Sequence, residues 1–261
     1  VNSFYGRTVD IGVTKRKHFL GGQSYNKFAE KMVNHFQSSV QENEHLIEAY
    51  QLMRQKLSRL KEGEKLTMVG IGQLNNFYEL LISQKDEYSH LSGYDLIKEK
   101  VEEVVLMAGL FNENGEKIFF EGNPYITEYN IVTDIKSAKY FIENCPVKIT
   151  FIDFLAGYKV KSFGNLVAEN DMNHPVTFAY HHFSKGPRES WDPLAVYYAC
   201  LGEKDIFKLS DKGCVTVDET GHTHFHIKKD GLHQYVKLNR KEDEIVDILN
   251  QLILLDKGGY K

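Results

Sequence analysis

The stretch Leu66-Thr67-Met68-Val69-Gly70-Ile71-Gly72 is a compact apolar run that closes on two glycines, and it is followed at once by Leu74 to Ile82, whose apolar residues recur at helical spacing. A short apolar run, a glycine turn and then a 3.6-residue period make a strand-turn-helix unit, the element from which a parallel sheet covered by helices is built. Ahead of it, Leu46, Tyr50, Met53, Leu57 and Leu60 predict an amphipathic helix, and Thr8 to Thr14 reads as a short strand. Downstream the pattern repeats. Asp95 to Glu102 reads as helix and Val104 to Met107 as a buried strand, with Ala108-Gly109 allowing a sharp turn at its carboxyl end. Thr133 is then expected to cap a helix running through Phe141, Pro146 breaks it, and Val147 to Ile152 forms a β-branched strand with Asp153 at its end.

Beyond Asp192-Pro193 the pattern changes. Leu194 to Cys200 fits a helix opened by proline, while Val215 to Leu238 alternates like antiparallel strands within a β-rich appendage over 208–240. Ile245, Ile248, Leu249, Leu252 and Ile253 mark a closing helix over 241–257, with Gly258-Gly259 beyond its end. The fold class expected is α/β: a Rossmann-like, mostly parallel sheet flanked by helices, with a C-terminal antiparallel hairpin appendage. Ligands of such sheets bind at the carboxyl ends of the strands. Four segments collect there: Gly70 to Asn76, Met107 to Asn114, Asn123 to Asn130, and Asp153 with the loop that carries Asp192.

Composition narrows the function. The chain has 261 residues, 42% hydrophobic and 26% charged, which fits one globular domain spanning 1–261. A net charge of -4 with dispersed lysines and arginines gives no basic stripe to neutralise phosphates, so the expected partner is a small molecule or a protein and not nucleic acid. The 15 tyrosines and 16 phenylalanines are accordingly assigned to the core. Cys145, Cys200 and Cys214 fit neither a disulfide framework nor a metal spacing, which points to a reducing compartment, by default the cytoplasm. No apolar run approaches the ~20 residues that span a bilayer.

Four segments in order carry a family resemblance. Thr67-Met68-Val69-Gly70-Ile71-Gly72-Gln73-Leu74-Asn75-Asn76, then Val104-Val105-Leu106-Met107-Ala108-Gly109, then Glu128-Tyr129-Asn130-Ile131, and finally Ser190-Trp191-Asp192-Pro193 resemble the inosine-uridine preferring nucleoside hydrolase family, closest to its divergent branch with tryptophan before the aspartate and a strand-rich tail. The resemblance implies hydrolysis of the N-glycosidic bond of a ribonucleoside, or a related N-riboside, with bound calcium. Such a reaction passes through an oxocarbenium-like transition state and needs an activated water, a fixed ribose and help for the departing base. Carried over residue by residue, Asp192 is a metal carboxylate and the Ile71 carbonyl a second ligand. Glu128 and Asn130 contact the ribose, Asn123 matches with a displaced spacing, and Trp191 lies at the substrate. Family members often form homo-oligomers, which makes a homo-oligomer a further expectation.

Two departures qualify what the resemblance implies. The family's aspartate-bearing strand, one of whose carboxylates is the general base, has no counterpart here, so the βα portion holding it is expected upstream of Val1. These 261 residues alone are expected to be inactive, because Asp192 and one carbonyl leave most of calcium's six to eight oxygen positions to water. Trp191 also stands where some members place a histidine that protonates the leaving base. An indole stacks but does not donate a proton as an acid, so Tyr180, His181 or His182 becomes the candidate replacement.

Each residue has a plainer reading that the sequence leaves open. Gly72 and Gly109 can simply end strands, Glu128 and Asn130 can form a solvated turn, and Asp192 before proline can be a helix N-cap. His222, His224 and His226 alternate along a strand and could bind zinc from one face, or could be the polar face of an exposed hairpin. The function classes that remain are a calcium-dependent ribonucleoside hydrolase and a catalytically silent ribose-binding or protein-interaction module.

Overall fold

A computed structural model describes residues 4–15, 27–36, 45–111, 119–120, 123–124, 127–169 and 171–254. At the amino-terminal end, β1 (Gly12–Val13) pairs parallel with β2 (Ile47–Glu48), with α1 (Lys27–His35) between them. The strand expected over Thr8 to Thr14 thus shrinks to two residues, outside the main sheet. The central part runs α2 (Ala49–Ser58), β3 (Leu66–Gly70), α3 (Asn75–Ile82), α4 (Gly93–Lys100), β4 (Val101–Met107), a two-residue hairpin β5 (Phe119–Phe120) and β6 (Asn123–Pro124), α5 (Tyr129–Val132), α6 (Ile135–Asn144) and β7 (Lys148–Ile152). There follow α7 (Phe154–Lys159), β8 (Lys161–Ser162), α8 (Gly164–Glu169), α9 (Pro175–Phe183), β9 (Arg188–Glu189) and α10 (Trp191–Leu201). The tail is β10 (Phe207–Leu209), β11 (Gly213–Val217), β12 (Thr223–Ile227), β13 (His233–Leu238) and α11 (Glu242–Leu254).

The seven-stranded main sheet has the order β12-β11-β13-β7-β4-β3, with β10 paired to β13. Strands β13, β7, β4 and β3 are parallel, and β10, β11 and β12 are antiparallel to their neighbours. The expected antiparallel hairpin is present as β11 and β12. The strand after it, β13, enters the parallel sheet beside β7, so the tail is joined to the core through backbone hydrogen bonds.

Burial follows the two-residue period of the strands. Val104 and Leu106 of β4, with Ile149 and Phe151 of β7, point into a core formed with Leu57, Phe77, Leu80, Leu96 and Phe141. Val105, Met107 and Ile152 point to the opposite face, against Leu194, Ala195 and Tyr198 of α10 and Leu249 of α11. Both faces of β4 are therefore dry, which is why it reads as a continuous apolar run; each such side chain contributes roughly 1.5–3 kcal/mol by leaving water. At β3 the second face opens. Met68 is buried, but Val69 is 36% exposed and Ile71, just past the strand, is 45% exposed. Among the described residues β3 is the last strand on this side of the sheet.

Several boundaries differ from the sequence reading for local reasons. Ser92 accepts a hydrogen bond from Asp95 N at 3.1 Å and starts α4 at Gly93, so Val101 and Glu102 are freed to begin β4. Asp134, not Thr133, caps α6 by accepting from Ser137 N at 3.2 Å, while Thr133 ends α5 and donates back to Tyr129 O. The closing helix runs over Glu242–Leu254; positions 255–257, and Gly258-Gly259 after them, lie outside the described residues.

One long-range latch fixes the ground beneath α3 and α4. Arg54 of α2 is fully buried; its guanidinium donates to Asp86 at 2.6 and 3.0 Å, to Ser83 Oγ at 2.8 Å and to the carbonyls of Ser89 and Leu91 at 3.2 and 2.9 Å. That single side chain satisfies the loop over 83–91, and the arginine holds the Asp86 carboxyl below its usual value. Removing one partner of such a buried pair leaves the others desolvated and unpaired. Arg54→Met is expected to lower unfolding stability by roughly 3 kcal/mol in a denaturant titration; a loss below about 1 kcal/mol, the range of surface ion pairs, would show that the latch carries little of the fold.

Candidate functional site

The carboxyl end of β4 is held by two buried carboxylates. The strand runs into Ala108 and Gly109, the latter at φ +84°, a left-handed conformation that glycine adopts without strain. Glu128, only 3% exposed, caps α5: Oε1 accepts from Asn130 N at 2.8 Å and Oε2 from Ile131 N at 3.1 Å, with Gly109 N a long contact at 3.4 Å. From the other side Asp153, also 3% exposed, caps α7 through Ala156 N at 3.1 Å and accepts from Phe111 N at 3.1 Å. Phe154 N donates to Gly109 O at 2.9 Å. Thr223 of β12 completes the clamp, accepting from Leu110 N at 2.9 Å and donating to Leu110 O at 3.2 Å.

Asn130 is tied to the same place, its amide donating to Met107 O at 3.0 Å. Glu128 and Asn130 therefore both shape the end of β4. Burial pushes the Glu128 carboxyl up to about 7 despite three backbone N–H groups that oppose the rise, and the charge of Asp192 adds to it. Burial likewise raises Asp153 to about 6. Asp192 lies in the first turn of α10, whose N-cap is Ser190, so the N-cap reading of Asp192 is corrected to a first-turn carboxylate favoured by the helix dipole. It is exposed on one side, and loss of water around it raises its carboxyl to about 6, a rise that the open side tempers.

Beside Asp192 lies a cleft of about 310 Å³, lined by Tyr180 and Phe183 of α9, Arg188 and Glu189 of β9, and Trp191 and Pro193 of α10. Trp191 is anchored: its indole N–H donates to Phe154 O at 2.9 Å, and its ring packs on Phe154 at 5.2 Å between centroids. It fits only because position 157 is glycine, where a Cβ would fall 2.0 Å from the indole Cδ1. The Arg188 guanidinium lies 4.9 Å from the Phe183 ring centroid and 5.7 Å from that of Trp191. The Tyr180 ring packs on Phe163, and burial raises its hydroxyl to about 12, with Asp192 adding to the rise and Arg188 opposing it.

The structure therefore brings Glu128, Asn130, Asp192 and Trp191 to one edge of the molecule. Ile71 follows the carboxyl end of β3, a strand against which α10 also packs. Asn123 lies on β6, and its side chain is outside the described residues. Of the three candidate proton donors, Tyr180 lines the cleft, whereas His181 and His182 pack against each other and His182 contacts Phe178 and Lys31. The tail histidines are taken up locally: His224 Nε2 lies 3.1 Å from Asp218 Oδ2, His222 Nδ1 2.6 Å from Thr220 Oγ1, and His226 Nε2 3.1 Å from Thr216 Oγ1. Among the described residues no group of three or more His, Cys, Asp or Glu side chains is placed to hold a metal ion. Asp192 with a single carbonyl does not fit calcium's oxygen requirement, and the described residues do not by themselves make that site. Nor, among the described residues, is any helix long and apolar enough to cross a membrane.

Sequence reading gave no role to Gly157, Arg188 or Thr223, and it put Asp153 at the ligand-binding end of the sheet without a partner. Asp153 was visible as a carboxylate at a strand end, and Arg188 as a cation next to Ser190-Trp191-Asp192-Pro193; the partners of Gly157 and Thr223 are distant in sequence and left no local signal.

No family model matches the chain, and no curated protein matches it. Solved structures do. The inosine-uridine preferring nucleoside hydrolase from Bacillus anthracis superimposes with a TM-score of 0.56 at 17% identity, covering 78% of this chain and 65% of that one. An inosine-guanosine nucleoside hydrolase gives 0.56 at 14% identity over 78% and 66%, and the effector protein XOO4466 gives 0.55 at 16% identity over 81% and 65%. The chain spans just under two thirds of the length of these neighbours. The fold is that of the nucleoside hydrolases: the mostly parallel sheet flanked by helices expected from the sequence.

The raised carboxyl of Glu128 makes a pH prediction. A carboxyl whose folded value exceeds its unfolded value of 4.5 favours the protonated folded state, so its stabilisation is fully present below pH 4.5 and is lost as pH rises through about 7. Comparing wild type with Glu128→Gln removes the contributions of Asp153 and His233 and isolates Glu128 together with its electrostatic coupling to Asp192. From pH 5 to pH 8 the melting temperature of wild type is expected to fall relative to that of Glu128→Gln; a constant difference would show that Glu128 titrates normally.

Proposed function

We propose that this chain carries the ribose-holding and leaving-group portion of a nucleoside hydrolase-type site, acting on the N-glycosidic bond of a ribonucleoside or a related N-riboside. The observation that supports this reading best is the convergence of Asn130, Glu128 and Asp192 at the carboxyl edge of the sheet, next to a cleft walled by Trp191. In this reading the half-buried Asn130 and the exposed Asp192 meet the ribose hydroxyls. Glu128, being enclosed, acts by fixing Gly109 and Asn130. The base lies beside Trp191, whose indole N–H is committed to Phe154.

A calcium ion, when bound, would polarise the attacking water and fix the ribose, with Asp192 and the Ile71 carbonyl among its ligands. Asp192 and one carbonyl supply only part of calcium's oxygen shell, so this reading needs further carboxylates and a general base beyond the residues named here. Among the described residues, Val69 and Ile71 on the outer side of β3 are partly exposed, and β3 has one neighbour in the sheet.

Equilibrium dialysis of the purified chain with inosine and uridine, paired with an assay for released base with and without calcium, tests this. Saturable binding without base release is the expected result. Calcium-dependent release would show that these 261 residues suffice for catalysis and would overturn the expectation that they are inactive alone, and absence of any ribonucleoside binding would remove the reading altogether.

A further inference from the structure

The hairpin of β11 and β12 grips the carboxyl end of β4 through Thr223, which takes and returns hydrogen bonds at Leu110. Its own attachment to the sheet is short. β11 registers with β13 at a single pair, Gly213 with His233. Beyond that pair two alternate N–H groups of β11 are met by side chains: Val215 N donates to His233 Nδ1 at 2.8 Å, and Val217 N to Glu143 Oε1 of α6 at 3.0 Å. Because the backbone N–H is the donor, Nδ1 is the unprotonated nitrogen of a neutral imidazole whose proton is on Nε2. His233 is 6% exposed, with its ring 5.7 Å from that of Phe151 on β7. The ionisable groups on the elements around it are Tyr235 on its own strand, Glu143, and the exposed Lys212, Lys228, Lys229 and Asp230 at the open end of the hairpin; β7 presents Ile149 and Phe151. Burial, and none of these charges, lowers the imidazole to about 4.

We propose that His233 is an acid-releasable latch: a proton taken at Nδ1 sets N–H against the Val215 N–H, opens β11 from β13, and so loosens the grip of Thr223 on Leu110 at the edge of the site. The closed hairpin resists that proton, whereas the opened one accepts it at the ordinary histidine value of 6.5. Above about pH 6.5 neither state is protonated and the latch is intact. As pH falls from 6.5 towards 4, opening becomes about tenfold more favourable per pH unit, because one proton is taken up on opening. Glu143 does not act in this way, since a protonated carboxyl still accepts through its carbonyl oxygen. The latch acts on the backbone of the site edge, whichever ligand that edge receives.

Residue-resolved hydrogen exchange between about pH 7 and pH 4.5, corrected for the intrinsic pH dependence of exchange, tests this. Protection of the Val215 and Leu110 N–H groups is expected to fall together by about tenfold per pH unit below about 6.5, while Val104 to Leu106 in β4 stay protected. His233→Asn keeps an acceptor near the Nδ1 position and does not titrate, so protection in that variant should not depend on pH. His233→Leu removes the acceptor and should leave both amides weakly protected at every pH. A fall at Val215 without one at Leu110 overturns the inference, as does an equal fall across β4, which would mark global unfolding. The wild-type slope persisting in His233→Asn would assign the proton to another group and overturn it too. Imidazole nitrogen shifts of the wild type give a check that needs no variant: the proton is expected on Nε2 at neutral pH, and titration of His233 at its ordinary value overturns the latch.

Discussion

The rest of the site depends on how the backbone is held where β4 ends. Gly109 turns in a left-handed conformation, and Leu110 and Phe111 carry the chain out of the sheet between elements that come from widely separated parts of the sequence. Asp153 takes the N–H of Phe111, Thr223 takes and returns hydrogen bonds at Leu110, and Phe154 N reaches Gly109 O. Glu128, capping α5 from the opposite side, presents the same surroundings to Asn130. Two buried carboxylates in one small region are costly unless backbone donors surround them, and here their donors are backbone N–H groups, three at the starts of α5 and α7 and two, Gly109 and Phe111, just after β4. The arrangement fixes a polar edge without relying on side-chain salt bridges.

The second constraint is steric. The absence of a side chain at Gly157 lets Trp191 lie against α7, and the indole in turn sets the first turn of α10 from which Asp192 projects. Leu194, Ala195 and Tyr198 of the same helix are buried against the sheet, so the position of Asp192 is a consequence of core packing. The cleft is thus framed by an element whose apolar face cannot shift without opening the core.

Much of this was legible in the sequence where burial is two-sided or periodicity is local. Val104 to Met107 read as a strand because both its faces are dry, and Leu74 to Ile82 as a helix because its apolar stripe is regular. Thr133 and Asp134 were confused because either can cap a helix, and only the hydrogen bond to Ser137 distinguishes them. The entry of β13 into the parallel sheet was invisible, since alternation in 233–238 looks the same for a hairpin strand and for a core strand beside β7. Arg54 read as one charge on the polar side of an amphipathic helix; its partners lie 29 to 37 residues away. The site followed the same rule. Asp153 was legible as a carboxylate at the end of its strand, whereas Thr223 and Gly157, whose partners are distant in sequence, were given no role.

The most direct test of the account is a crystal structure of the chain with a non-hydrolysable ribonucleoside analogue. The account predicts the ribose at the carboxyl ends of β3, β4 and β7, between Asn130 and Asp192, the ring against Trp191, and Glu128 still enclosed with its backbone donors. An analogue bound away from that edge, or Glu128 swung out to make the ribose contact itself, would contradict it.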